Sequence, residues 1–162
     1  MQLNIDKTKV MIFNFTKEKQ FTISLEVNGN KVEVADKTKL LGTYISSDLK
    51  WEHNTNEIVR RANARMIILR KLVQFNPKKE DMIIIYISYM RSILEQSCQV
   101  WNFSLTEDNS NDLERVQKNA LRIILGEKYT SYQLALEEFN LSDLKTRREY
   151  LCKKFAKKMY RK

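Results

Sequence analysis

Apolar residues alternate with polar residues along the first part of the chain and recur at helical spacing along the rest. The alternation predicts four short strands, at Lys9–Phe15, Phe21–Val27, Val32–Val34 and Leu40–Ile45. Asn28, Gly29 and Asn30 tolerate positive φ and predict a hairpin between the second and third strands. The first strand is apolar on both faces, which indicates cover on both sides. We therefore expect residues 1–50 to form a small antiparallel sheet.

Helical spacing predicts a bundle of about four to five helices over residues 51–162. The first helix should run from Glu52 to Phe75, because several apolar residues fall within one arc of its wheel. These are Ile58, Ala62, Met66, Leu69 and Val73. Ile67 and Ile68 lie off that arc, so this helix is expected to contact two neighbours.

A second helix is expected to continue to about Trp101. Asn76 should cap it, with Pro77 at its first position, where a missing N–H costs nothing. It is the most apolar helix and therefore the expected centre of the bundle. Its apolar residues are Met82, Tyr86, Tyr89, Met90, Ile93, Leu94 and Cys98.

Three more helices follow in the pattern. Residues 109–125 carry a 3-4 stripe that ends at Gly126. The stripe consists of Leu113, Val116, Gln117, Ala120, Leu121 and Ile124. Ser131 should open a short helix to about Phe139, and Ser142 should cap the last one. Strands followed by helices make the predicted fold class α+β.

The last helix separates an apolar side from a basic side when residues are placed 100° apart. The apolar side holds Leu144, Leu151, Cys152, Phe155 and Met159, which we assign to the bundle core. The opposite side holds Arg147, Lys153, Lys154, Lys157, Lys158 and Arg161, with Tyr150 in its middle. Arg148 falls on the apolar side, where a buried charge needs a partner. Glu114 is the first candidate for that partner.

The net charge of +9 is concentrated at one end. Residues 145–162 contain nine basic residues and one acid, so they carry +8 of the total. Such a field favours polyanions, with nucleic acid first and an anionic membrane surface second. The alternative is that this segment is only a solvated end.

The residues by themselves indicate no active site. His53 is the single histidine and has no cysteine or second histidine near it, so a metal site of ordinary spacing is not expected. Glycine-rich phosphate loops and Gly-x-Ser-x-Gly elbows are absent. Paired acids occur at helix starts or on a solvated helix face. Cys98 and Cys152 are expected to be buried thiols of an intracellular protein, nuclear or cytoplasmic. No apolar run is long enough to span a membrane.

The order of several short motifs resembles the C-terminal part of reverse transcriptases from non-LTR, jockey-like retrotransposons. The matching stretches are Asn4–Phe13, Lys39–Gly42, Leu49–His53, Tyr86, Arg91–Glu95, Val100-Trp101, Leu113–Gln117 and Arg147-Arg148. Together they extend over nearly the whole chain in the family's order.

The resemblance implies an end-of-palm segment over residues 1–50 and thumb-like helices over residues 51–162. It implies that Lys7 lies near the incoming triphosphate. It also implies that a primer-grip-like turn approaches the primer terminus with Leu40, Leu41, Gly42 and Thr43. On the first thumb-like helix, Arg60 and Arg61 would reach phosphates of the template–primer duplex.

The family's catalytic Tyr/Phe-x-Asp-Asp motif would lie just upstream of Asn4 and is absent from this sequence. We therefore expect a truncated fragment that needs a missing palm and fingers segment to hold the magnesium ions of the full-length family. By itself it would use no cofactor or small-molecule substrate. It would bind RNA·DNA or DNA duplex independently of sequence and would not be an enzyme. The alternatives are a helical protein-interaction module, a non-functional retroelement remnant and a membrane-surface helix over residues 143–160.

Overall fold

The computed structural model describes residue 4 and residues 7–16, 24–27 and 29–160. Short strands come first and helices follow, so the α+β prediction is confirmed. The chain divides into two compact units, Met1–Asn54 and Thr55–Lys162.

Within its described residues, the first unit contains three pairs of strands. The strands are β1 (Lys9–Val10), β2 (Glu26–Val27), β3 (Asn30–Lys31), β4 (Glu33–Val34), β5 (Lys37–Leu40) and β6 (Thr43–Ser46). β2 pairs with β3 and β5 with β6 in antiparallel register, whereas β1 and β4 are parallel. The pairs form separate two-stranded sheets rather than the single antiparallel sheet that the alternation predicts.

The first predicted strand is much shorter than its apolar run. β1 ends at Val10, and the predicted cover on both sides is wrong because Phe15 is 83% exposed. The start of the second predicted strand lies outside the described residues. The predicted hairpin is confirmed, because Val27 pairs with Asn30 and Gly29 has a φ of 78°.

The single strand predicted at Leu40–Ile45 is a hairpin. Leu40 pairs with Thr43, so Leu41 and Gly42 form a two-residue turn between β5 and β6. Both turn residues have positive φ, 48° and 86°. Positive φ at both central residues defines a type I′ turn, whose twist matches that of the flanking strands. The alternation of apolar residues continues through the turn and therefore conceals it.

The second unit is helical. Its helices are α1 (Glu52–Val73), α2 (Lys79–Ile85), α3 (Ser92–Leu94), α4 (Cys98–Trp101), α5 (Glu107–Leu125), α6 (Tyr132–Glu138) and α7 (Leu144–Met159). Helix α1 begins before the division at Asn54. A π-helical segment, Tyr86–Arg91, joins α2 to α3. The predicted stripe of α5 is buried throughout, and its Gly126 terminus is confirmed. None of the helices within the described ranges is long and apolar enough to cross a membrane.

The helix predicted to run unbroken to Trp101 is interrupted. Ser97 adopts a left-handed φ of 53° and separates α3 from α4. Asn76 is not the N-cap of α2, because Lys78 occupies that position. Asn76 has a φ of 48°, a conformation that asparagine tolerates, and its N–H bonds the carbonyl of Val73 at the end of α1.

Two further helix predictions need correction. Ile67 on α1 is 54% exposed, so the second neighbour expected for it does not cover it. The N-cap of α7 is Asp143 rather than Ser142, because the Asp143 carboxylate accepts the N–H of Thr146 at 2.8 Å. The carbonyl of Ser142 instead accepts a hydrogen bond from Nε2 of Gln117 at 3.0 Å. The caps of α5 and α6 are Thr106 and, as predicted, Ser131.

Candidate nucleic-acid interface

Arg148 is completely buried on the inner side of α7, as its place on the helical wheel predicts. Its Nε donates to Oδ1 of Asn102 at 2.8 Å and its Nη2 to Oγ of Ser110 at 3.1 Å. The predicted partner is wrong, because Glu114 accepts the N–H of Leu144 and the O–H of Tyr132. Burial lowers the pKa of Arg148, although the negative charge of Glu114 opposes this shift. Arg148 is therefore a structural group that no external phosphate reaches.

The other basic residues in the first half of α7 are also engaged. Nε of Arg147 lies 3.1 Å from Oε1 of Glu95, which Arg91 also approaches at 3.3 Å. The guanidinium of Arg147 packs over the ring of Tyr150 at 5.9 Å. Lys145 lies 3.5 Å from Glu107, but both side chains are exposed, so this pair is weak. These contacts reduce the charge that this half of the helix presents to a ligand.

The second half of α7 carries charge that other groups hardly offset. Nζ of Lys153 lies 3.8 Å from Glu149, and both side chains are exposed, so this pair is weak. Lys154, Lys157 and Lys158 are exposed and make no ion pair with any described residue. Arg161, the last predicted residue of this face, lies outside the described residues. The basic surface of α7 thus consists of Tyr150, Lys153, Lys154, Lys157 and Lys158.

This surface lines a groove of ≈ 730 Å³. The rest of the lining is Gln99 of α4 together with the apolar residues Leu151 and Phe155 of α7. The prediction that Phe155 and Met159 belong to the core is wrong, because they are 49% and 62% exposed. All described residues from Lys153 onward are exposed, so the bundle covers only the first half of α7.

The two arginines predicted on α1 are held by neighbouring side chains. Nε and Nη2 of Arg60 bond both oxygens of Glu57, at 2.8 and 2.7 Å. Nη1 of Arg61 donates to Oε1 of Gln96 at 3.3 Å. This bidentate contact with a carboxylate has the geometry that the Arg60 guanidinium would use to bind a phosphate. These residues are therefore weaker candidates than the lysines of α7.

A basic cleft of ≈ 700 Å³ lies within the first unit. Its lining consists of Lys7, Lys9, Lys37, Thr38, Lys39, Leu40, Tyr44 and His53. It brings together Lys7 and Leu40, two residues that the resemblance selects. No site role was predicted from the sequence for Lys9, Lys37 or Lys39, although Lys37 and Lys39 alternate on β5. Lys9 reaches the cleft only because β1 pairs with β4, where its Nζ bonds Glu33 at 2.9 Å.

Tyr44 and His53 form the aromatic part of this cleft. Their rings meet edge to face at 4.8 Å, and the ammonium of Lys39 lies 5.3 Å from the centre of the Tyr44 ring. The backbone N–H of Tyr44 donates to Oδ1 of Asn54 at 3.1 Å, which holds the strand in place. The sole histidine is therefore a packing partner of Tyr44.

The remaining residues of the predicted primer-grip-like turn do not line the cleft. Leu41 is 92% exposed at the tip of the β5–β6 hairpin, next to Gly42. Thr43 is buried. Of this predicted turn, Leu40 thus lines the cleft, Leu41 and Gly42 lie at the hairpin tip, and Thr43 is buried on β6.

The described ranges contain no group of three or more His, Cys, Asp or Glu residues placed to hold a metal ion. The thiols of Cys98 and Cys152 are buried and unpaired by a disulfide. Burial, together with the neighbouring Cys152 thiol, raises the pKa of Cys98 to about 12. No family model, curated protein or solved structure matches the chain. The residues that the structure describes form an α+β protein with a basic surface in each of its two units.

Proposed function

We propose that this chain binds nucleic-acid duplex independently of sequence through the basic surface of α7. The observation that carries the proposal is the exposure of Lys154, Lys157 and Lys158, with no ion pair to another described residue. Most of the basic residues nearer the start of the helix are engaged within the bundle. The uncompensated charge is therefore concentrated on two turns, where it can meet neighbouring phosphates.

Mutual repulsion supports a polyanionic ligand. Lys153 and Lys157 are four residues apart, as are Lys154 and Lys158, and like charges at that spacing destabilise a helix. Phosphates that approach these side chains relieve the repulsion and release condensed counterions. Flexible lysines act as point charges and recognise no base edges, so the contact is independent of sequence.

The resemblance to reverse transcriptases extends this proposal to a thumb-like role for the helical unit. A basic cleft with a partly exposed aromatic wall in the first unit is a second surface suited to a phosphate backbone. We propose that the chain has no polymerase activity of its own, because the family's paired catalytic aspartates are not in its sequence. A primer-extension assay with magnesium or manganese tests this part, and reproducible extension by the pure protein would contradict it.

Salt dependence tests the binding surface. If about four phosphates are contacted, log K for an RNA·DNA hybrid should fall against log salt with a slope of about −3.6. The variant with Lys153, Lys154, Lys157 and Lys158 changed to Gln should bind more weakly. Its slope should be smaller in magnitude by about 3 to 4.

A charge-matched control separates a local surface from net charge. Lys31, Lys71, Lys78 and Lys128 are exposed residues outside both basic surfaces, and changing them to Gln removes the same total charge. We expect this variant to keep most of the affinity and slope. An unchanged slope in the α7 variant, or equal losses in both variants, would reject the proposed surface.

A further inference from the structure

The apolar stripe of α7 continues beyond the part of the helix that the bundle covers. Leu151, Phe155 and Met159 follow one another at four-residue spacing, so they lie on one side of the helix. Leu151 is partly buried, whereas the other two side chains are about half exposed. Adjacent exposed apolar side chains on one helix face are typical of an interaction site.

Leu151 and Phe155 of this stripe line the groove beside α4. The rest of the lining consists of Gln99, Tyr150, Lys153, Lys154, Lys157 and Lys158. On the helical wheel, Lys154 and Lys158 fall next to the apolar stripe, between it and the rest of the basic surface. The groove therefore combines apolar anchor positions with a positively charged rim. An amphipathic helix that docks in a groove uses anchors at i, i+3 or i+4, and i+7.

We propose that this groove binds an acidic amphipathic helix of another protein. The apolar anchors of that helix pack against Phe155 and Met159, and its flanking carboxylates meet Lys154 and Lys158. Charge complementarity selects this partner over a second copy of the chain, because two α7 helices would bring like charges together. A recess lined by Gln99, Leu151 and Phe155 also fits an inserted helix better than it fits a flat lipid surface.

The inference does not require nucleic-acid binding, but the two ligands share a rim. Lys154 and Lys158 would contact either duplex phosphates or partner carboxylates, so the ligands should compete. Phe155 and Met159 contribute to the peptide contact and are not part of the basic surface. Substitution of these two residues therefore distinguishes the two functions.

The test uses the whole chain and two synthetic peptides of about 20 residues built from Leu, Ala and Glu. One peptide has Leu at i, i+3, i+4 and i+7, and the other has the same composition in scrambled order. We expect the patterned peptide to bind at least about tenfold more tightly. Phe155→Ser with Met159→Ser should weaken that binding at least about tenfold and leave hybrid binding unchanged.

Tyr160→Ser is the matched control. Tyr160 is 91% exposed near the end of α7, off the apolar stripe, so its loss should change peptide affinity less than about twofold. Circular dichroism of the variants checks that the fold is retained. Equal binding of both peptides, or full binding by the double variant, would overturn the inference.

Two other outcomes would replace the proposed partner. Phosphatidylserine vesicles that bind in a Phe155-dependent manner, without binding of the patterned peptide, would indicate a lipid surface. Concentration-dependent dimerisation in sedimentation, abolished by Phe155→Ser and again without peptide binding, would indicate a second copy of the chain. Either result would overturn the acidic-helix inference.

Discussion

The phenol O–H of Tyr86 donates a 2.7 Å hydrogen bond to Oε1 of Gln117, and both side chains are completely buried. Nε2 of Gln117 donates in turn to the phenol oxygen of Tyr132 at 2.8 Å and to the carbonyl of Ser142. One glutamine on α5 thus connects the π-helical segment, α6 and the residues before α7. Burial raises the pKa of Tyr86, so its phenol stays neutral and continues to donate this bond.

Gln117→Leu should therefore destabilise the helical unit. The change keeps the volume similar but leaves the buried Tyr86 hydroxyl without its acceptor, which costs about 1–3 kcal/mol. Urea denaturation would measure the change in the free energy of unfolding. In a double-mutant cycle with Tyr86→Phe, the losses should be less than additive, because both changes remove the same bond. Simple additivity would show that the bond contributes little.

Arg148→Ala should destabilise the protein much more than Arg147→Ala. Truncation at Arg148 leaves a cavity and removes the partner of the Asn102 and Ser110 oxygens, a loss of about 2–4 kcal/mol. The half-buried Arg147 contact should contribute less than about 1 kcal/mol. Arg148→Met fills much of the space without a charge, so it should lower the free energy of unfolding less than Arg148→Ala does. Equal small effects at both arginines in thermal unfolding would contradict this assignment.

Leu41→Asn should stabilise the β5–β6 hairpin by about 1 kcal/mol. The side chain of Leu41 is almost wholly exposed, yet its backbone is left-handed, a conformation that costs a branched residue about 1–2 kcal/mol. Asparagine followed by Gly42 is the preferred pair for this turn. Leu41→Ala removes the same apolar side chain without the asparagine amide and should give no such gain. A lower melting temperature for Leu41→Asn would contradict the prediction. Weaker binding of the RNA·DNA hybrid by this variant would instead indicate that the tip of the β5–β6 hairpin contacts nucleic acid.

Asp143 should contribute stability that is lost in acid. Burial tends to raise its pKa, but hydrogen bonds that include the Thr146 N–H lower it below its ordinary value. A carboxyl with a lowered folded-state pKa stabilises fully above its unfolded pKa of about 3.9 and loses this contribution as pH falls through the folded value. Asp143→Ala should cost about 1 kcal/mol at neutral pH.

Asp143→Asn is the control, because asparagine also caps a helix and carries no charge. At neutral pH its stability should be close to that of the unchanged protein. Below about pH 4 the unchanged protein should lose stability more steeply than this variant. Urea denaturation across that range measures both slopes. Parallel slopes would show that the Asp143 carboxylate is not a source of acid sensitivity.

Local periodicity predicted much of the helical unit. The stripe on α5 and the burial of Arg148 both follow from a fixed rotation of 100° per residue, and both are confirmed. The turn at Gly29 follows from residues that tolerate positive φ. These features depend on near neighbours in sequence, which is why the amino-acid pattern alone determined them.

Only the tertiary structure decided how far the core reaches and which groups meet. The wheel places Phe155 on the same side as Leu144, but the bundle covers only the first half of α7, so Phe155 is exposed. Arg148 meets Asn102 rather than Glu114, because Glu114 is occupied by Leu144 and Tyr132. The lysine cleft forms from residues brought together by strand pairing. Periodicity identifies the side of a helix or strand, whereas contact between distant segments depends on where the whole chain places them.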